Sequence, residues 1–435
     1  MKSISIFIII ALLALSANLY AQSTGAQTVH RSDNPALKLD LLLLDFPHQK
    51  SAIDTVGRGF FGSYANPSMG QSLAISTSVY SAFHFGMKQF KDNSNMNVIL
   101  KNGIYFTGLL LGNYVLLYSP FGFAWLHEEH HRAILTQHGV MSSNPLYRFP
   151  FGKSTLPVGG VTMEDFINIK KKGTPGFVRL YAAGIEGEYL LIDNLQRNNF
   201  FYNQKLPNEY LYWMSTVSAN FYFQSAANSR LEGLLGDMGV WAYDLHNPDQ
   251  TYRGDGSNIA LAEDARSYLK NQSYWHLLNF ASPMLFGIRS IPLGDSEFSG
   301  NFAMRHLLTS FGTAIIAQFY LKNEAFNMAF AYHSYLNSKY YFPAVEVELI
   351  DYPVQLGMLG MYLSPRIMFG MQPKEQDFRT NKPELLGLLG LRADFMTNSK
   401  FLPYMELTAK SNGWVAGNPY LNRGVNVGMG ISARF

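Results

Sequence analysis

The last third of the chain alternates between apolar and polar positions, as strands do when the two faces of a sheet differ in polarity. In the final segment, RGVNVGMGISARF, every second side chain from Val425 to Phe435 is apolar, and those between them are small or polar. The segment AVEVELI alternates in the same way around Glu346 and Glu348. Turn-forming stretches such as KNE, TNSK and SNG separate such segments. The pattern predicts about eight strands between Phe311 and Phe435.

Most of these segments approach the roughly 9–11 residues that a tilted strand needs to cross a bilayer. Their short connections predict an antiparallel meander, which could close into a barrel or lean on helices as a half-barrel. The last strand ends on the aromatic residue Phe435, and it resembles the closing strand of bacterial outer-membrane β-barrels. The resemblance implies contact with outer-membrane lipid. The alternative is an amphipathic strand of a soluble sheet.

The middle of the chain has a helical pattern. Residues 104–126, IYFTGLLLGNYVLLYSPFGFAWL, form an apolar run that is long enough to span a membrane as a helix. Gly108, Gly112, Asn113 and Pro120 interrupt this run. The interruptions favour a buried helix, or a pair of helices broken near SPFG, over a membrane span.

The first residues, MKSISIFIIIALLALSANLYAQ, contain one lysine, an apolar run and a small residue at Ala21. They predict a secretory signal peptide cut after Ala21, with an uncleaved anchor as the alternative. The expected fold class is α+β, in which a helical region precedes an antiparallel meander or barrel of about eight strands. The expected divisions are a signal peptide (1–21), an N-terminal segment (22–95), a mainly helical region (96–300) and the β-region (301–435).

Composition excludes several classes of function. The chain has no cysteine, which excludes disulfide bonds and thiolate metal ligands. Its net charge is +3, and no basic block is longer than IKKKG, so that nucleic acid is not expected as a partner. Aromatic residues make up 14% of the chain and charged residues only 15%, which suits an exported protein at a membrane interface.

The clearest chemical signal is WLHEEHHRAIL, which contains the pattern H-E-x-x-H at His127, Glu128 and His131. On a helix, two histidines four residues apart lie on one face, where both imidazoles can bind one metal ion beside the glutamate. Buried imidazoles need partners, and a metal would provide one. The alternative is a solvated helix face formed by Glu128 with Glu129, His130 and Arg132.

These residues resemble the H-E-x-x-H zinc metallopeptidases. The resemblance implies that His127 and His131 are zinc ligands, that Glu128 is the general base, and that a third ligand lies downstream. The subgroup with a histidine third ligand fits poorly, because Ile134 stands where its glycine belongs and His138 comes one residue late.

The subgroup with a glutamate third ligand fits better. The segment RLYAAGIEGEYLLIDNL has the pattern of a second helix and offers Glu186 or Glu188 as the ligand, with Asp193 as a supporting partner. A later segment, GDMGVWAYDLHNPDQTYRGDG, is expected to be a polar connection. If it folds back over the helix, Asp237 or His246 could also reach the metal.

Two functions are therefore expected as alternatives. One is a zinc-dependent hydrolase of the cell envelope, a metallopeptidase associated with the outer membrane, whose substrate is a peptide or a lipid amide. The other is a non-enzymatic outer-membrane β-barrel protein, structural or transporting, in which the helices form a plug or cap. The first requires about one tightly bound metal ion per chain, and the second requires none.

Overall fold

The computed structural model describes residues 35–49, 66–144, 158–228, 236–250, 261–294, 296–324 and 326–435. The expected signal peptide, residues 1–21, lies outside them. The helices are α1 (Met69–Asn93), α2 (Val98–Leu117), α3 (Phe123–Gln137), α4 (Met163–Lys172), α5 (Thr174–Phe201), α6 (Glu209–Asn228), α7 (Gly236–His246) and α8 (Glu263–His276). The strands are β1 (Lys38–Phe46), β2 (Ile291–Pro292), β3 (Ser299–Thr309), β4 (Gly312–Lys322), β5 (Asn327–Leu336), β6 (Tyr341–Ile350), β7 (Tyr352–Leu356), β8 (Leu359–Pro373), β9 (Pro383–Phe395), β10 (Phe401–Lys410) and β11 (Gly424–Arg434).

All the strands belong to one antiparallel sheet in the order β1-β11-β10-β9-β8-β6-β5-β4-β3-β2, and β7 pairs with β8. The predicted antiparallel meander is confirmed, and the described part of the chain between Phe311 and Phe435 contains eight strands, β4 to β11. The sheet does not close: in the described part of the chain, β1 and β2 form its two edges. Strand β1, from the N-terminal segment, pairs with β11. The sequence pattern does not predict this pairing.

The two faces of the sheet differ as the alternation predicts. On β11, Val425, Met429 and Ile431 are exposed, whereas Gly428, Gly430 and Ser432, which point the other way, are buried. Helix α5 lies on the inner face, which curves around it. One cavity of about 460 Å³ lies between α5 and the sheet. The strands that line it extend from β1, at one edge of the sheet, to β3, near the other edge.

The apolar run at 104–126 forms two helices, α2 and α3, that are separated at Tyr118–Gly122. A helix pair broken near SPFG is thus what the structure contains. The expected burial of the run is wrong for α2, because Phe106 is 63% exposed and Leu111 57% exposed. No helix in the described ranges combines the length and the apolar character that a membrane span needs.

Helix α5 is the central helix of the fold and contacts α1, α3, α4, α6, α7 and β3. It begins with Pro175 in its first turn, where a missing backbone N–H costs nothing. Most of its residues are buried, as expected for a helix that is packed on all sides. Its contacts with α3 and α7 bring together the residues of the candidate site.

Candidate metal centre

His127 and His131 lie on α3, four residues apart, and both rings turn toward α5. The two ring centroids are 4.7 Å apart, and the two Nε2 atoms are 3.0 Å apart. The helical spacing of the motif places the rings side by side, as the sequence predicts.

The third member of the group is Asp237, in the first turn of α7. Its Oδ2 atom is 3.1 Å from Nε2 of His127 and 3.4 Å from Nε2 of His131. The backbone N–H of Asp237 donates a hydrogen bond of 2.6 Å to the hydroxyl of Tyr222 on α6, which holds the first turn of α7 in place. The group formed by His127, His131 and Asp237 could hold a metal ion.

The other nitrogen of each imidazole is held by a hydrogen bond. Nδ1 of His131 donates to the backbone carbonyl of Leu180 at 2.7 Å, because a carbonyl can only accept. Nδ1 of His127 bonds Oε1 of Glu188 at 2.8 Å. When each Nδ1 carries the proton, each Nε2 presents its lone pair to the group, which is the orientation that metal-binding histidines need.

Gly184 on α5 provides the space for both rings. A Cβ atom at this position would lie 2.4 Å from Nε2 of His127 and 2.5 Å from Nε2 of His131. One turn further, a Cβ at Gly187 would lie 2.1 Å from Nδ1 of His130. Larger residues at either position would therefore displace the histidines from α5.

The electrostatics of the group favour positive charge. Burial alone would lower the pKa of His127, but the hydrogen bonds to Asp237 and Glu188 hold this pKa well above its usual value. The pKa of His131 is also raised, because the Asp237 carboxylate outweighs burial. The two imidazoles in turn hold the pKa of Asp237 far below its usual range, against the effect of burial. The group therefore attracts a proton or a metal cation.

The glutamates predicted as third ligands lie elsewhere. Glu186 is fully buried in an ion pair with Arg179, with 2.7 Å between Nη2 and Oε1, and it accepts a hydrogen bond of 2.7 Å from the N–H of Gly417. Glu188 lies on the Nδ1 side of His127. The carboxylate that lies beside both Nε2 atoms is that of Asp237.

Asp193, the predicted supporting residue, also lies away from the group. Its carboxylate accepts a hydrogen bond of 3.0 Å from the hydroxyl of Tyr320. The supporting contact to a motif histidine comes instead from Glu188. Sequence spacing could not distinguish these carboxylates, because the contact depends on which face of α5 meets α3.

The segment that starts at Gly236 was expected to be a polar connection, and this is wrong for Gly236–His246, which is helix α7. Residues 251–256 of the segment lie outside the described residues. Of the two residues considered as ligands there, Asp237 reaches the group. His246 does not: its Nδ1 bonds the carbonyl of Ala242 at 2.8 Å, and its ring packs against Tyr268 and Phe378.

Glu128 is half-buried on α3. Its charge makes a small contribution to the raised pKa of His131. The alternative of a solvated helix face is wrong, because Glu129 and His130 are 0% exposed and Arg132 is 2% exposed. Glu129 and Arg132 form a buried ion pair with 2.5 Å between Oε2 and Nε.

No protein-family model, no curated protein and no solved structure matches this chain. The similarity to zinc metallopeptidases therefore rests on the motif residues alone.

Proposed function

We propose that the protein is a zinc-dependent hydrolase in which His127, His131 and Asp237 bind the metal and Glu128 is the general base. The observation that carries the proposal is the convergence of Nε2 of His127, Nε2 of His131 and Oδ2 of Asp237 within 3.4 Å of one another. Hydrogen bonds orient both imidazoles toward this point. Three protein ligands are the number typical of catalytic zinc sites, which keep one position open for water.

Zinc suits the spacing and the ligand types. With zinc–ligand bonds of about 2.0–2.1 Å, neighbouring ligands of a tetrahedral site are about 3.3 Å apart. The three distances in the group are 3.0, 3.1 and 3.4 Å. Two imidazoles and a carboxylate, without any thiolate, also match the donors of many catalytic zinc sites.

In the proposed reaction, water adds to the substrate carbonyl and the carbon–nitrogen bond breaks. A bound zinc ion would polarise the carbonyl and lower the pKa of water to about 7. Glu128 takes a proton from the water and gives it to the leaving nitrogen, so that it is restored after each cycle. Glu188 acts through His127, since it fixes the ring orientation without contacting the reacting atoms.

The proposed substrates are envelope peptides, with lipid amides as the alternative, since both contain the same scissile bond. The proposed location is the outer membrane. The support for this location is the alternating strand β11, whose outer face is apolar.

The alternative function, a non-enzymatic barrel-like protein, is favoured by one observation. Helix α5 lies within the curve of the sheet and lines its inner cavity together with strand residues, as a plug would. This alternative gives no role to the convergent ligand atoms. It requires that metal content be independent of His127, His131 and Asp237.

The decisive experiment is Glu128→Gln, measured for both metal and activity. This change keeps the shape of the side chain but removes the base. We expect zinc to remain near one ion per chain, and hydrolysis in a screen of peptides and lipid amides to fall by about 10²-fold or more. His246→Gln is the control, because His246 lies outside the group. Wild-type activity in Glu128→Gln would overturn the proposed mechanism.

A further inference from the structure

The outer face of the sheet is apolar along its whole width. Each strand of nine residues or more carries at least one exposed, large apolar side chain on this face. Examples are Phe319 on β4, Val347 on β6, Phe369 on β8 and Met429 on β11, which are 39–61% exposed. In a soluble protein, the face of a sheet that points away from the core is normally the polar one.

The inner face carries ion pairs beside the apolar residues of the core. Arg392 on β9 contacts Asp40 on β1 at 3.0 Å and Glu406 on β10 at 3.3 Å. Arg366 on β8 contacts Glu346 on β6 at 2.7 Å. An apolar outer face over an inner face that holds paired charges is the arrangement of strands that face lipid.

Helices occupy the gap between the two edges of the sheet. Starting from the edge at β1, helix α1 packs against β1, and α2 packs against α1. Helix α6 contacts α2 and packs against the 3₁₀ turn Pro283–Phe286. This turn contacts β3, near the other edge. The outward sides of α2 and α6 are also apolar: Phe106 is 63%, Leu111 57% and Phe221 70% exposed. The apolar surface of the strands thus continues over the helices. We call the outward side chains of the long strands, α2 and α6 the outer belt.

The shape of the outer belt indicates what covers it. Residues on β1, β3 and β9 line one inner cavity, so that the sheet is strongly curved and its outer face is convex. A second protein would cover one sector of such a surface, whereas a fluid hydrocarbon phase can cover all of it.

Strand length and the position of aromatic residues agree with this occupant. Most of the strands have 10 or 11 residues, close to the 9–11 residues of a tilted membrane strand. Exposed aromatic residues stand at both ends: Phe401 and Phe435 where β10 begins and β11 ends, and Tyr341 and Phe46 at the opposite end of the sheet. Aromatic side chains are enriched at the two interfaces of a bilayer.

We propose that the hydrocarbon of a lipid bilayer covers the whole outer belt, and that α2 and α6 complete the lipid-facing surface where the sheet is open. This surface gives a physical basis to the proposed outer-membrane location. The proposal adds the lipid contact of α2 and α6 to that of the strands. This lipid contact depends neither on the metal nor on the hydrolysis.

The chain has no cysteine, so that single cysteines can be introduced and labelled with a polarity-sensitive fluorophore. The positions are Phe106→Cys on α2, Phe221→Cys on α6 and Val347→Cys on β6. Glu375→Cys is the control, since the Glu375 side chain is 80% exposed between β8 and β9. The full chain is reconstituted in vesicles of phosphatidylethanolamine and phosphatidylglycerol. Quenching by nitroxide on the acyl chains is compared with quenching by iodide in the water.

We expect the labels at 106, 221 and 347 to be quenched by the acyl-chain nitroxide and shielded from iodide, and the label at 375 to behave in the opposite way. If iodide quenches the labels at 106 and 221 as strongly as the label at 375, the helices face water and the proposal is wrong. Shielding of all three from both quenchers would instead indicate a second copy of the chain. The His127→Ala/His131→Ala double variant should give the same pattern, so that loss of the metal site leaves this inference intact.

Discussion

The inner face of the sheet and the site formed by α3, α5 and α7 both contain paired carboxylates. On the sheet, the carboxylates of Asp351, Glu346 and Asp394 contact arginine side chains at 2.7–2.8 Å. At the helix interface, the described ion-pair partners of Asp237 are two imidazoles, His127 and His131. A carboxylate matched by arginine has its countercharge within the protein. A carboxylate matched by two imidazoles can take a cation from outside.

The comparison separates polar groups that support the fold from those that can bind a ligand. A buried ion pair contributes little net stability, but the loss of one partner leaves an uncompensated charge and is costly. In the His127–His131–Asp237 group, the removal of one member should instead weaken metal binding. The same kind of substitution should therefore have different consequences in the two regions.

The largest effect is expected for Asp237→Asn. The amide lacks the negative charge that balances a divalent cation, so that zinc should fall from about one ion per chain to near zero in the purified protein. Elemental analysis after gel filtration measures this. The matched control is Asp394→Asn, which removes a contact to Arg392 and should reduce the free energy of unfolding while leaving the zinc content unchanged. Equal zinc in the two variants would contradict the ligand assignment.

The next effect is expected for Glu186→Gln, which leaves Arg179 buried without its carboxylate partner. Arg179 is 1% exposed and Glu186 0% exposed. We expect the free energy of unfolding to fall by about 3–5 kcal/mol, the usual cost of breaking a buried pair. Denaturant titration measures the loss, and zinc affinity of the folded protein should stay at the wild-type value. A large loss of zinc affinity with little loss of stability would make Glu186 part of the metal centre.

The sequence predicts what depends on local spacing. The alternation of β11 and the placement of His127 and His131 on one helix face follow from periods of about 2 and 3.6 residues. Asp237 is 110 positions from His127 and joins it only because α7 packs on α5. The pairing of β1 with β11 also joins distant parts of the chain. Hydrophobicity alone likewise could not show that α2 lies at the surface, because an apolar helix suits both a core and a lipid contact.

The smallest effect is expected for Glu188→Gln, which is two residues from Glu186 on the same helix and makes the same chemical change. Oε1 of Glu188 is 2.8 Å from Nδ1 of His127, and this contact orients the ring and makes Nε2 a better donor. A glutamine oxygen can still accept the hydrogen bond but carries no charge. We therefore expect zinc affinity to fall by about 10–100-fold, with little change in the free energy of unfolding. Competition with a chelator of known affinity measures the first quantity, and Glu186→Gln is the reciprocal control. If Glu188→Gln abolishes zinc binding as completely as Asp237→Asn does, Glu188 is itself a ligand, and the orientation of His127 in the metal-bound protein differs from the one described.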